Sequence, residues 1–600
     1  MHVCHVECTT TEVPCRAAHA FRFRGRGAGA GWHRSHHPRH QRGRRRQLRL
    51  PHRLAAQCAA EQSAIDSIPA NAGTTIIHVA RNGDYSGAQV SIEALDLDIR
   101  GGYTDCADST PDNTNTVIDA DGAYIGPVFT ISGSGRQPRV TLRDLTIQGG
   151  RNNGSAGGGI YIDGADVRLL STTVTDNQAT YGGGIAIRSL LQEAALELDE
   201  GSGVTSNTAS SNGGGIDCDR HYAHPITLRL QSASGVSTNE ANRGGGIHAN
   251  SCSGFINSGG IGIYGLIYNI GFNDAQTGGG IALENTLTLS TPMAELVLGE
   301  GLKASEPRPI ITSNTSTALG GGVYVGIYSR LLIKSALINA NTSGTSGGGV
   351  FLTQGDLATQ RELPHCAGGA PCIVFSNNKS TAPYGGGALA ASTNTEVNID
   401  GARFEGNSAP AGTPGGTLLL TNGASVTVEN SVFSGNSGDT LITADRSTTS
   451  GADLWLLAST IAGNSLTQGV IDMGADGLVS LGRTIVQDTV PVVIRDPANH
   501  GLQLTCNLLH EQASVIGEID PASATLTGKI PGFIDAANHD YHLQRSGWAV
   551  DACAASGFFS AHDLDLNPRP IDAPISNLAG PFDVGAYEWT YDLFRDGFED

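Results

Sequence analysis

The side chains best suited to chemistry in this chain gather between residues 217 and 248. Asp217 and Asp219 flank Cys218, His221 and His224 follow closely, and His248 stands in a later segment of the same design. A carboxylate beside an imidazole can pass protons near neutral pH or hold a metal ion. The spacing matches no zinc-site pattern, so acid–base work is the chemistry to consider, and no metal or cofactor is expected. Asp217, Asp219 and His248 are the catalytic candidates. A row of Asp163, Arg188, Asp219, Asn250 and Glu284 occupies related positions, and charge pairing between neighbouring strands explains such a row more economically.

Tyr161, Tyr324 and Phe351 form a second set. Aromatics on a long flat face can stack on sugar rings or dock a partner, which makes these three the binding candidates. A lyase-type site would cluster carboxylates around calcium beside a base, and a two-carboxylate hydrolase site would pair acids across a glycosidic bond. The sequence has no adjacent Asp-Asp pair and no Gly-rich calcium nonapeptide. Its glycine clusters are not nucleotide loops, because no helix pattern follows them.

These residues sit in a repeat. Three glycines and an aliphatic residue recur at 157–160, 182–185, 213–216, 244–247, 278–281, 320–323 and 347–350, with weaker copies at 385–388 and 414–416. An apolar-x-x-Asn motif is linked to them, ending at Asn177, Asn207, Asn239, Asn273, Asn314, Asn341, Asn378, Asn407, Asn436 and Asn464. Successive asparagines lie 27 to 41 residues apart. Two motifs locked to one period define a structural repeat. Alternating runs such as Ile160–Ile162, Ile226–Leu230 and Val426–Val428 read as half-buried strands, three per repeat. In each strand after the glycines the first residue points inward and the second outward, which turns Asp217, Asp219 and His248 toward the outside. Asn, tolerant of the left-handed conformation, is read as the turn residue between strands, and stacked Asn side chains can bond along the axis.

The expected fold is all-β, a single right-handed parallel β-helix with a short N-terminal capping helix and an irregular C-terminal cap. Residues 1–54 read as a basic leader, disordered or mistranslated; 55–74 as the capping helix; 75–530 as the β-helix; 531–600 as C-terminal coils, cap and tail. The leader carries 12 of the 37 basic residues and no export signal pattern, so the true signal peptide is expected in another start or reading frame. The whole chain carries a net charge of −20, which argues against nucleic acid as a partner. No apolar run is long enough to span a membrane. Outside the leader eight cysteines remain, Cys58, Cys106, Cys218, Cys252, Cys366, Cys372, Cys506 and Cys553. Such an even set fits an oxidising compartment, with Cys366–Cys372 the pairing expected first.

The paired motifs resemble the repeats of the polymorphic outer membrane protein family, with Phe375–Asn378, Phe404–Asn407 and Phe433–Asn436 matching its FxxN unit. That family closes with a membrane barrel and a terminal aromatic, whereas this chain ends in Phe598, Glu599 and Asp600, so a passenger without its barrel is expected. Pro531–Phe533, Asp540–Leu543, Val550-Asp551, Asp563–Asp565, Pro568–Pro570 and Asp583–Glu588 resemble the choice-of-anchor C-terminal region of bacterial secreted β-helix proteins. Cys58, Arg100–Cys106 and Val117–Asp119 are similar to its N-terminal portion. The resemblance implies export and surface association. The expected function is a non-catalytic adhesive, binding or structural module outside a bacterial cell, a monomer whose partners are glycans or surface proteins. The alternative is a carbohydrate-active lyase or hydrolase on the same scaffold.

Overall fold

Short alternating segments bounded by turn residues can bury one face only by stacking on copies of themselves, and the chain does this along most of its length. The computed structural model describes residues 3–8 and 61–590, apart from 70–72, 106, 123–124, 191, 222–223, 258–268, 288–292, 367–370, 383, 445–450, 474–476, 489, 492–501, 511–520 and 555–559. Cys58, Cys106 and most of the 1–54 leader therefore lie outside the described residues. Three long ladders of 16, 13 and 15 strands wrap one apolar core as a parallel β-helix. Register is in phase from coil to coil: Ile185 pairs with Ile216, which pairs with Ile247 and then Ile281. Alternation follows directly, as in Ile226–Leu230, where the three aliphatic side chains are buried and the residues between them half-exposed. Phe375, Phe404 and Phe433 stack face to face inside, with centroids 5.0 and 4.5 Å apart, each ring contributing roughly 1.5–3 kcal/mol by burial alone.

The coil differs from the expected three-strand unit. A fourth ladder of eight short strands runs between the Asn motif and the glycines, including Gln178–Tyr181, Thr208–Asn212, Glu240–Arg243 and Asp274–Thr277. Its Thr, Ser and Asn content carries no apolar alternation, which is why periodicity does not reveal it.

The turn chemistry also differs. The left-handed residue is the one before each Asn, not the Asn itself: Asp176, Ser206, Thr238, Phe272, Ser313, Ala340 and Asn377 all have φ between 53° and 57°. In the next three coils that place is taken by Gly406, Gly435 and Gly463. A non-glycine residue there costs about 1–2 kcal/mol, partly offset by the extra chain entropy glycine loses on folding. Ala340→Gly is therefore expected to raise stability by about 0.5–1 kcal/mol, read as a higher denaturant midpoint with unchanged slope.

The N-terminal end of the stack is covered, and the C-terminal segment lies against its flank. The helix Glu61–Asp66 packs Ala64 and Ile65 onto the first coil. Its Gln62 amide accepts from the Ser91 N–H at 2.7 Å and donates to the Ser91 carbonyl at 3.1 Å. One side chain thereby satisfies both backbone groups of Ser91 in the edge strand Val90–Glu93, where bare groups could pair with another chain. Strand Val3–Cys8 pairs antiparallel with Thr75–Ala80 at the same end. Beyond the last coil, residues 531–554 and 560–589 lie back along the side wall of the solenoid. Gly585 N–H donates to the Arg483 carbonyl at 2.8 Å, Ala586 N–H to Thr460 Oγ1 at 3.0 Å, and Arg403 to the Tyr587 hydroxyl at 2.7 Å.

Disulfides reinforce this frame. Cys366–Cys372 is closed, as expected, Cys218–Cys252 ties two successive coils, and Cys506–Cys553 ties the folded-back segment to a late coil.

Candidate functional site

The triple glycine explains where the acid and imidazole candidates end up. At Gly213 φ is +63° and an added Cβ would lie 2.7 Å from the Asp217 Cα, so this corner is laid against the outer face of the strand that follows it. Gly214 would strike the Gly245 carbonyl of the next coil at 2.4 Å, and Gly215 would press on the Asn239 amide at 2.9 Å. Backbone crowds in from three sides, and only glycine fits. Asp217 and His248 do point away from the core, but the corner covers them. They are 0 % and 1 % exposed, so facing away from the core does not bring them into solvent. Asp219 stays half-exposed, accepts from Asn250 at 3.0 Å, and has His221 at 3.4 Å. The neighbouring covered slots hold Ala186 and Ala282, both fully buried. Small residues on either side of a charged pair are the signal in the sequence that the row is roofed.

Under that roof charge alternates along the axis. Arg188 donates to Asp217 Oδ2 at 2.5 Å, while Asp217 Oδ1 meets His248 Nδ1 at 2.7 Å. His248 Nε2 meets Glu284 Oε1 at 2.9 Å, and Glu284 Oε2 accepts from Arg243 at 2.9 Å. Burial opposes the charged imidazolium, but the two carboxylate hydrogen bonds and their charges outweigh it and lift the His248 pKa from 6.5 to about 9. Burial likewise opposes the charged carboxylates, but Arg188 and His248 hold Asp217, and His248 and Arg243 hold Glu284, below their ordinary values. With both ring nitrogens donating to carboxylates, His248 has no lone pair to accept a proton or bind a metal. The cluster is built to clamp successive coils together. Among the described residues no group of three or more His, Cys, Asp or Glu side chains is placed to share a metal ion.

The aromatic candidates do not form one platform. Tyr161 and Tyr324 stand in the same outward row but are separated by Ala186, Asp217, His248 and Ala282, about 24 Å at one strand spacing per coil. Tyr324 is 9 % exposed, stacked on Phe351 with centroids 6.0 Å apart and covered by the Arg243 guanidinium at 5.2 Å.

The asparagines form a continuous buried ladder. From Asn177 to Asn436, each Asn Oδ1 of the next coil accepts from both the backbone N–H and the Nδ2 of the Asn before it, as at Asn177–Asn207 (3.0 and 3.1 Å). Asn464, last in the row, donates its backbone N–H to Asp488 Oδ1 at 2.9 Å and its Nδ2 to Asp488 Oδ2 at 2.8 Å. Asp488 stands outside the Asn motif by residue type, although Ile485-x-x-Asp488 has the same form. A carboxylate accepts without donating, so it suits a chain of hydrogen bonds that stops there. Burial nevertheless raises the Asp488 carboxyl above its usual range, against the hydrogen bonds from Asn464 and Gly463. A raised carboxyl penalises the folded state at neutral pH and ceases to do so as pH falls through its folded pKa. Asp488→Asn is expected to raise the melting temperature at pH 7, with the gain closing as pH falls toward 4; a gain that persists in acid would contradict the assignment.

The residues carrying the C-terminal resemblance interlock as structure. Arg569 pairs with Glu588 at 2.6 Å, both buried. Glu588 N–H donates to Asp563 at 3.0 Å, and the two Asp583 oxygens accept from Asp551 N–H (2.7 Å) and Trp589 N–H (2.5 Å). His542 bridges Asp540 at 2.5 Å and Asp565 at 2.7 Å over the Tyr587 ring. Burial disfavours the His542 cation, yet its two carboxylate partners raise its pKa. The fold and these sites define a parallel β-helix solenoid whose buried polar groups run as ladders from coil to coil. Scanning the chain against protein-family models gave no match. No curated protein matched it either.

Proposed function

We propose that the protein works outside the cytoplasm, at or beyond a bacterial cell surface, as a non-catalytic binding or structural module of the choice-of-anchor kind. The observation that carries this reading is the fate of the most reactive side chains: His248, Asp217 and Glu284 are spent on one another beneath the glycine corner. Disulfides between coils support export, since such bonds persist in oxidising compartments. The motif resemblances point the same way, and the packing of Arg569, Ala586 and Glu588 gives the choice-of-anchor motifs a structural task. Among the described residues no helix is long and apolar enough to cross a membrane.

The test pairs location with turnover. Protease shaving of intact cells is expected to remove the protein, and a panel of acidic and neutral polysaccharides, with and without calcium, is expected to yield no new reducing or unsaturated ends. Recovery only from the cytoplasm, with thiols reduced, would overturn export. Glycan cleavage lost on a point substitution would replace the module with a carbohydrate-active enzyme.

A further inference from the structure

The C-terminal segment that lies against the flank carries an uncovered apolar surface of its own. Among the described residues twelve large apolar side chains stand exposed, and five of them fall within residues 530–578: Ile530, Ile534, Trp548, Ile575 and Leu578. The Trp548 N–H donates to the Ile530 carbonyl at 3.2 Å, and Lys529 lies over the Trp548 ring at 4.2 Å. Ile534 and Ile575 line a cleft of about 490 Å³. They are 41 % and 36 % exposed, whereas Leu543 and Trp589 in the same cleft are buried. An apolar floor beside two uncovered isoleucines is a shape that gains by taking in further apolar groups.

The charges around this cleft leave one cation over. His542 is held between Asp540 and Asp565, and Glu588 is paired with Arg569. Arg545 also lines the cleft, donates to the Pro574 carbonyl at 2.8 Å, and closes no ion pair among the described residues.

The chain itself continues from this place. Trp589 and Thr590 both line the cleft, and the residues that follow read Tyr591-Asp592-Leu593-Phe594. Trp589, Tyr591 and Leu593 alternate with Thr590 and Asp592, the pattern of an extended segment with one apolar side. On such a segment Tyr591 and Leu593 share the side of Trp589, which already packs with Leu543. Residues 591–600 hold four acids against one arginine, so they also bring the counter-charge that Arg545 lacks.

We propose that this cleft is the docking site of the chain's own segment 591–594, with Tyr591 and Leu593 laid between Ile534 and Ile575 and the acids of the segment at the rim beside Arg545. No linker separates the segment from the cleft, so its effective concentration there is roughly millimolar. An affinity of about 100 μM for the free peptide then keeps the cleft filled roughly nine-tenths of the time. Filled in this way, the cleft no longer offers its apolar walls to other chains.

The test uses the full chain. Chymotryptic cleavage after Tyr591 and Phe594 is expected to be at least tenfold slower in the parent than in Ile534→Asp/Ile575→Asp. Both substituted side chains are exposed, so that variant is expected to keep the parent's melting curve. Leu593→Ser/Phe594→Ser empties the cleft and is expected to bind a labelled peptide of residues 591–600 at about 100 μM, with the parent binding it at least tenfold more weakly. Equal cleavage of the parent and the cleft variant, or a peptide that binds the parent and the tail variant alike or neither, would overturn the assignment. Protection that rises with protein concentration would give the cleft to the tail of a second copy and overturn it as well.

Discussion

Asn314→Ala is expected to lower the stability of the central coils by roughly 3–5 kcal/mol, the summed cost of several buried groups left without partners. Asn314 Oδ1 accepts from the Asn273 backbone N–H at 3.1 Å and from Asn273 Nδ2 at 2.9 Å. Its own amide donates to the Ile270 carbonyl at 3.1 Å and to Asn341 Oδ1 at 3.0 Å. Alanine removes all four bonds and brings no water, because the position is 0 % exposed. Each coil touches only its neighbours, so the damage should stay local. Hydrogen exchange is the measurement of choice: protection should fall between about residues 270 and 345 while distant coils keep theirs. Uniform protection across the variant would mean the ladder contributes little.

The second large effect is a pH dependence seated at His248. Its folded pKa of about 9 lies above the ordinary 6.5, so the folded state holds a proton that the unfolded chain releases sooner. The stabilisation is complete below about pH 6.5 and disappears as pH climbs through 9, an amount of roughly 3 kcal/mol at 1.36 kcal/mol per pKa unit. His248→Gln should be less stable than the parent at pH 6 and show a flatter profile up to pH 9.5. Asp217→Asn should cost about 3–5 kcal/mol at pH 7, because it strands Arg188 and His248 without their shared counter-charge. Parallel pH profiles for parent and His248→Gln would contradict the coupling.

Much of this architecture is legible in the sequence because its causes are local. Alternation sets which side chains enter the core, and the period shared by Asn and glycine sets the coil. The structure supplies the reason those two motifs travel together: Gly215 leaves room for the Asn239 amide, so the third glycine of one coil accommodates the asparagine of the next. What stayed hidden depends on contacts distant in sequence. Nothing in the alternation at Ile216–Asp219 says that Gly213 will lie over Asp217. Residue preference puts the left-handed turn on Asn, yet the fold spends Asn on hydrogen bonds and assigns the strained conformation to whatever precedes it, even Thr238 and Phe272. Gln62 capping Ser91, and Tyr587 meeting Arg403, join residues that no periodic pattern relates.

The folded-back C-terminal segment has a mechanical consequence. Because Gly585, Ala586 and Tyr587 grip the side wall at Arg483, Thr460 and Arg403, tension applied at residue 590 does not peel the last rung off the stack one hydrogen bond at a time. The load falls in shear across several rungs at once, with Cys506–Cys553 as a covalent stop. A rod pulled through this point would be loaded at its flank rather than at its tip.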